Sequence, residues 1–311
     1  VEAMHHDVHG IRGMVGSLDC SHFVWGNCPV AYHGHYQGKE GRPTLVVEAM
    51  ADHSLYVWHA VFGYCGTLND ITVWENSMLL QSICDGSFAE NDFPFSIGGE
   101  MFNMLWMLVD GIYRPLARFV KPLTVPIGDS EALFSLWQES KRKDIKRFFG
   151  VFKKKFNFFT RPITFAFIED IIDAFYCCII LHNVAVKERM ELNNGTIESH
   201  SFYECIDDPV EVEADAAQAQ RSNLALRFVQ LEEENVRDRA LEVQYLNALG
   251  INVIDSTLPL DSERIRLLPQ YQRMAQYRWN QLYKIADHMK LTQAIARQLK
   301  ESYDSYKKRY S

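Results

Sequence analysis

From residue 104 to 109 the chain is apolar without a break, short enough for a strand buried on both faces, and Asp110 ends the run on a glycine-containing turn. Residues 14–20 predict another strand, with Asp19 near its end. Thr44–Ala51 and residues 55–63, joined by Asp52-His53-Ser54, predict a hairpin. Gly66-Thr67-Leu68-Asn69-Asp70 predicts a helix running to about Gln81, capped by Asn69 or Asp70. Residues 84–102 read as an irregular connection. Residues 130–149 predict a helix, with Ile145, Phe148, Phe149 and Phe152 spaced along one buried face. Residues 163–186 predict a buried helix; Glu169, Asp170 and Asp173 interrupt its apolar run, so it is no membrane span.

Beyond it, residues 191–220 are polar and acidic and read as a flexible linker. Residues 224–249 predict a solvated, charge-laced helix. Pro269 opens another, striped by Trp279, Leu282, Tyr283 and Ala286, and Leu291, Ile295 and Leu299 stripe the last. Three domains are therefore expected: 1–190 as an α/β domain, 191–220 as the linker and 221–311 as a helical C-terminal region.

Composition refines this. At 47% hydrophobic and 13% aromatic, 311 residues can bury a sizeable core. The net charge of −8 argues against a nucleic-acid partner, but the charge is segregated. Lys141, Arg142, Lys143, Lys146, Arg147, Lys153, Lys154, Lys155 and Arg161 stand against Asp144 alone within residues 141–161. A local basic face matters more for phosphate contact than the chain total. Seven cysteines, odd in number and irregularly spaced, suit a reducing compartment. The chain begins at Val1, and reads as a fragment whose N-terminus is missing.

The order strand, hairpin strands, helix, strand, helix, with acids after the first and fourth strands, is that of a ribonuclease H-like mixed sheet flanked by helices. Several short stretches carry a more specific resemblance: residues 16–22 (Gly-Ser-Leu-Asp-Cys-Ser-His), Asn27-Cys28-Pro29, Trp58-His59-Ala60, Phe62-Gly63, Asn69-Asp70-Ile71, Asp110-Gly111-Ile112-Tyr113, Gln138-Glu139-Ser140 with Arg142-Lys143-Asp144, Phe149-Gly150-Val151 and Leu181-His182-Asn183. In this order, over roughly residues 10–190, they resemble the Harbinger-type transposases, the plant transposon protein group, whose nuclease domain uses three acids. The resemblance implies that Asp19 and Asp110 are the first two catalytic, metal-binding carboxylates, holding Mg²⁺ or Mn²⁺. The third, a Glu in the family's pattern, falls on Lys146, with 35 residues between it and Asp110. It also implies DNA at transposon ends as a partner, a separate Myb-like protein as a second one, a nuclear location, and an N-terminal helical DNA-binding region that this sequence lacks.

Two metal ions on three acids would activate a water or 3′-hydroxyl and stabilise the leaving oxygen. An ammonium at position 146 repels Mg²⁺ and can pair with an Asp instead. Glu139 lies two turns earlier, about 10 Å away by helix rise, and Asp144 points about 200° from Lys146, so neither replaces the missing acid. Lys141, Arg142, Lys143, Arg147, Lys153, Lys154 and Lys155 are the candidate phosphate contacts. Cys20, His22, Cys28 and His33 or His35 are zinc-ligand types, though in no closed finger spacing. The spacing of His5, His6 and His9 is open to metal too, against the plainer reading of a solvated helix end. The functional expectation is a transposase-derived protein with impaired catalysis. The alternatives are an active transposase or endonuclease, and a domesticated DNA- or protein-binding module.

Overall fold

The structure, a computed structural model, describes residues 1–38, 41–85, 88, 93–113, 116–126, 128–192 and 285–310. Of the linker expected at 191–220, residues 191 and 192 are the last of a helix, and the rest lies outside the described residues, as do the helix at 224–249 and the one opened by Pro269 up to residue 284. In chain order the elements are α1 (Glu2–His9), β1 (Met14–Val24), a 3-10 turn (Val30–Tyr32) leading into α2 (His33–Tyr36), β2 (Thr44–Ala51) and β3 (Val57–Cys65). Then come α3 (Asp70–Glu75), α4 (Met78–Asp85), β4 (Phe95–Ile97), β5 (Glu100–Phe102), β6 (Trp106–Leu108), β7 (Phe119–Val120), α5 (Gly128–Lys155), a 3-10 turn (Asn157–Phe159), α6 (Ile168–Leu192) and α7 (Ile285–Tyr310). The main sheet has five strands in the order β3-β2-β1-β6-β7, with helices around it, an α/β architecture as expected. The chain divides into two compact units.

The first unit comprises Val1–Met78, Met107–Tyr113 and Glu139–His200. β1 pairs antiparallel with β2 from Ser17↔Ala51 to Val24↔Thr44, and β2 pairs antiparallel with β3. Strand β1 thus runs four residues past the expected Cys20, because the ladder with β2 continues. Alternation places Asp19, Ser21 and Phe23 on one face of β1, and Leu18, Cys20 and His22 on the other. The Asp19 face receives α5 and α6. Leu45, Val47, Ala49, Phe23 and Phe62 form one core there with Ile145, Phe148, Phe149, Phe152, Phe159 and Phe175. Phe62 stacks on Phe175 at 4.4 Å, and Phe23 meets both edge-on. Gly63 is needed for this approach: its φ is 109°, and a Cβ there would lie 2.9 Å from Ile172 Cδ1 of α6.

On the opposite face Glu48 is fully buried, its Oε2 accepting from Ser77 Oγ and lying 3.1 Å from His59 Nε2. This ties β2 and β3 to the junction of α3 and α4. The single helix expected from Asn69 to Gln81 is two helices, broken around Asn76 and Ser77. Asn69 is the cap, its side chain accepting from Thr72 N–H. Asp70 occupies the first turn, where a carboxylate favours the helix dipole.

Leu181-His182-Asn183 has a structural task. Asn183 accepts from Val57 N–H at 2.9 Å and donates to Val57 C=O at 2.8 Å, as a neighbouring strand would. His182, buried against Phe148, donates from Nε2 to Leu55 C=O at 2.8 Å, and Arg189 donates to Ser54 C=O. Leu55 has φ 72°, a left-handed conformation costly for a branched side chain. Helix α6 therefore holds the strained β2–β3 turn from outside.

The second unit comprises Leu79–Trp106, Arg114–Gln138 and Ser201–Ser311. Here residues 84–102 are not wholly irregular: β4 and β5 form a hairpin turning at Gly98-Gly99. Gly98 N–H donates to Gln298 Oε1 on α7, and Glu100 pairs with Lys290 and Arg297. Leu291, Ile295 and Leu299 are buried, as their spacing predicts.

Burial lowers the pKa of His182 from the ordinary 6.5, with Lys155 and Arg189 adding to the effect, while the Leu55 bond opposes it. The unfolded chain binds the proton near pH 6.5 and the folded chain does not, so this contribution to stability is lost as pH falls below 6.5. A urea series from pH 7 to 5 should record the decline, with a flatter profile for His182→Gln. Asn183→Ala, which orphans both Val57 groups, should cost about 1–3 kcal/mol in the same assay.

Candidate functional site

Asp19 and Asp110 reach the same place from different parts of the sequence. Asp19 ends the buried stretch of β1 and is 7% exposed; Asp110 follows β6, whose three residues are fully buried. Asp19 Oδ1 accepts from Cys20 N–H, and Asp110 Oδ1 accepts from Gly111 N–H, so each carboxylate is oriented by the next peptide. Between them lies the guanidinium of Arg142 from α5. Its Nη1 is 3.6 Å from Asp19 Oδ2 and 3.4 Å from Asp110 Oδ2. Two oxygens sharing one nitrogen are no more than 7.0 Å apart, the sum of those contacts.

One turn along α5, Lys146 is exposed, yet close enough for its ammonium to favour ionised Asp19. Asp19 is nevertheless pushed above the ordinary carboxylate range. Burial is the largest cause and the Asp110 charge adds to it, while the Cys20 N–H, Arg142 and Lys146 pull the other way. About two turns further on, Lys153 donates to Ser21 Oγ and His22 C=O, and lies 4.6 Å above the Phe23 ring. One face of α5 thus lays three cations along β1 beside Asp19, Ser21 and Phe23.

This placement separates the candidate phosphate contacts. Arg142 is buried against the two carboxylates, Arg147 pairs with Asp144 at 2.9 Å, and Lys153 is tied to β1. Lys143, Lys154 and Lys155 are exposed, and Lys141 is half-buried. Glu139, also exposed, stands one turn before Arg142 on α5. Sequence reasoning placed Arg142 outward with the other cations and missed its inward role. The signal was available: position 142 is three before Ile145 and seven before Phe149, on the same buried stripe.

Do these residues fit two Mg²⁺ or Mn²⁺ ions? Two carboxylates share their space with a guanidinium and an ammonium, and position 146 supplies no acid. The four charges sum to zero, whereas two-metal sites rely on a surplus of carboxylate. As arranged, the group does not fit such a pair. The cysteine and histidine set offered as a zinc alternative is dispersed as well: Cys20 Sγ contacts Tyr113 Oη, His22 Nδ1 contacts Thr44 Oγ1, and His33 Nε2 contacts Cys28 C=O. Among the described residues, the metal-ligating group that does come together is His9, His53 and Asp144. No helix among the described residues is long and apolar enough to cross a membrane.

Set beside known proteins, residues 3–193 match the family model described as plant transposon protein. No curated protein and no solved structure matches the chain.

Replacing Arg142 with Ala would leave Asp19 and Asp110 facing each other without their shared cation. The expected loss at pH 7 is about 1–3 kcal/mol, less than for a fully buried pair because water reaches Asp110. It should shrink toward pH 3 as the carboxylates take up protons; equal loss at both pH values in urea titrations would mean Arg142 acts by packing alone.

Proposed function

The chain belongs to the plant transposon protein family, and we propose that it is a transposase-derived protein with a ribonuclease H-like nuclease domain and impaired two-metal DNA cleavage. The observation that carries this is the composition of the Asp19–Asp110 cluster: Arg142 and Lys146, one turn apart on α5, stand where metal ions and a third acid would be needed. In this reading Asp19 and Asp110 are the inherited catalytic pair. Lys146 is the substitution that removes the third ligand and reverses its charge. Arg142 bridges the two carboxylates that remain, and with Lys146 balances their charge.

DNA stays the favoured partner, contacted by the exposed Lys143, Lys154 and Lys155, with the nucleus as its location and a Myb-like protein as the family's second partner. Contacts to phosphate alone give weak, sequence-independent binding that falls steeply with salt. Lys154→Ala with Lys155→Ala should lower the slope of log affinity against log salt by about 2, measured by fluorescence anisotropy on duplex DNA. An unchanged slope would place the contact elsewhere.

The catalytic reading is tested on four proteins: native, Lys146→Glu, and each with Asp110→Asn. The native chain should not nick supercoiled plasmid in Mg²⁺ or Mn²⁺. Lys146→Glu, which shifts the local charge by two units, should raise divalent-metal affinity in calorimetry, and Asp110→Asn should cancel the gain. Robust nicking by the native chain that Asp110→Asn abolishes would instead establish an active endonuclease.

A further inference from the structure

A second cluster lies around the N-terminal helix. His5 and His9 are four residues apart on α1, so they share a face. That face is turned inward: His5 is fully buried and His9 is 9% exposed. The His5 and His9 ring centroids are 5.3 Å apart, and those of His9 and His53 are 5.1 Å apart. His53 comes from the strained β2–β3 turn, and its Nδ1 is 2.8 Å from Asp144 Oδ2 on α5. His9, His53 and Asp144 each offer one ligand atom, all within 4.8 Å of one another. Neither ring nitrogen of His5 has a hydrogen-bond partner, although the residue is fully buried. An imidazole shut away from water with both nitrogens unsatisfied costs stability unless something binds it.

We propose that His9, His53 and Asp144 ligate a divalent transition-metal ion of the zinc class, with the buried His5 ring packed beside His9. The donor set selects the metal: imidazole nitrogens suit Zn²⁺, Co²⁺ or Ni²⁺, whereas Mg²⁺ and Ca²⁺ take oxygen. Three protein donors leave the fourth coordination position to a water. The ion replaces the proton held between His53 and Asp144. Asp144 divides its oxygens for this purpose, with Oδ2 toward His53 and Oδ1 accepting from Arg147 at 2.9 Å, an outer contact that fixes the carboxylate. Lys141 opposes a cation near His9, and Arg147 opposes one near Asp144, so affinity comes from the donor atoms and not from net charge.

This centre is separate from the Asp19–Asp110 cluster. Arg142 and Asp144, two residues apart on α5, diverge by about 200° at 3.6 residues per turn. Bound metal would fasten α1 to the turn at His53 and to α5, joining three segments distant in sequence. It does not depend on the transposase reading.

The test titrates the full chain, freed of metal by a chelator, with Co²⁺ and then Zn²⁺. One equivalent of Co²⁺ should produce the visible absorption of a tetrahedral site, Zn²⁺ should bleach it stoichiometrically, and Zn²⁺ should raise the thermal midpoint. His9→Gln and His53→Gln should lose the band and the thermal shift, whereas Asp19→Asn should keep both. Absence of one-equivalent binding in the native chain, or a band that survives His9→Gln, overturns the proposal. Should the variants fail to fold, zinc-edge X-ray absorption of the native protein decides: imidazole scattering supports the site, and an oxygen-only shell refutes it.

Discussion

The rotation of α5 about its own axis is the constraint on which this unit depends. Ile145, Phe148, Phe149 and Phe152 must enter the aromatic core beneath β1, β2 and β3, where Phe23, Phe62, Phe159 and Phe175 already interlock. Once that stripe is seated, the direction of every other residue on the helix follows. Arg142 and Lys146 are carried to Asp19, midway along β1, and Asp144 is carried to the opposite flank beside His53. Hydrophobic packing thus decides which charges meet, and the charges settle how two costly acids are kept.

Asp19 illustrates how a buried carboxylate is held beside cationic side chains. Desolvation raises Asp19, and Asp110 adds like-charge repulsion. A guanidinium is well suited to this position, because it stays protonated and presents several donors across a flat fork. Glu48 solves a similar problem on the other sheet face by different means, with Ser77 and His59 as partners. The two faces of the sheet therefore carry distinct polar groups, each closed by elements packed on that face.

Much of this was legible in the sequence. The run Thr44–Ala51 is a strand at its expected bounds, because an apolar stretch buried on both faces leaves little choice. The stripe from Ile145 to Phe152 correctly sets the buried face of α5. Local signals misled where a tertiary partner decided the outcome. Strand β1 continues past Cys20 because β2 is there to pair with it, and α3 stops short of Gln81 where Ser77 turns to Glu48. Gly98-Gly99 is a hairpin signal within a stretch that otherwise reads as irregular. Arg142 was grouped with its charged neighbours because composition carries no direction. His5 and His9 sat in a polar opening segment whose i, i+4 spacing was the sole hint of a buried face.

The amide of Asn183 has a consequence beyond stability. Strand β3 ends the order of the main sheet, and an edge with open N–H and C=O groups is a template for another chain. By engaging both polar groups of Val57, Asn183 occupies the first rung of that edge with a helix side chain. A second molecule approaching from there meets α6 where it would need a free ladder. The same contact that holds the turn in this fold therefore works against sheet-to-sheet aggregation, a protection that a protein with an aromatic-rich core and a strand-forming edge has particular need of.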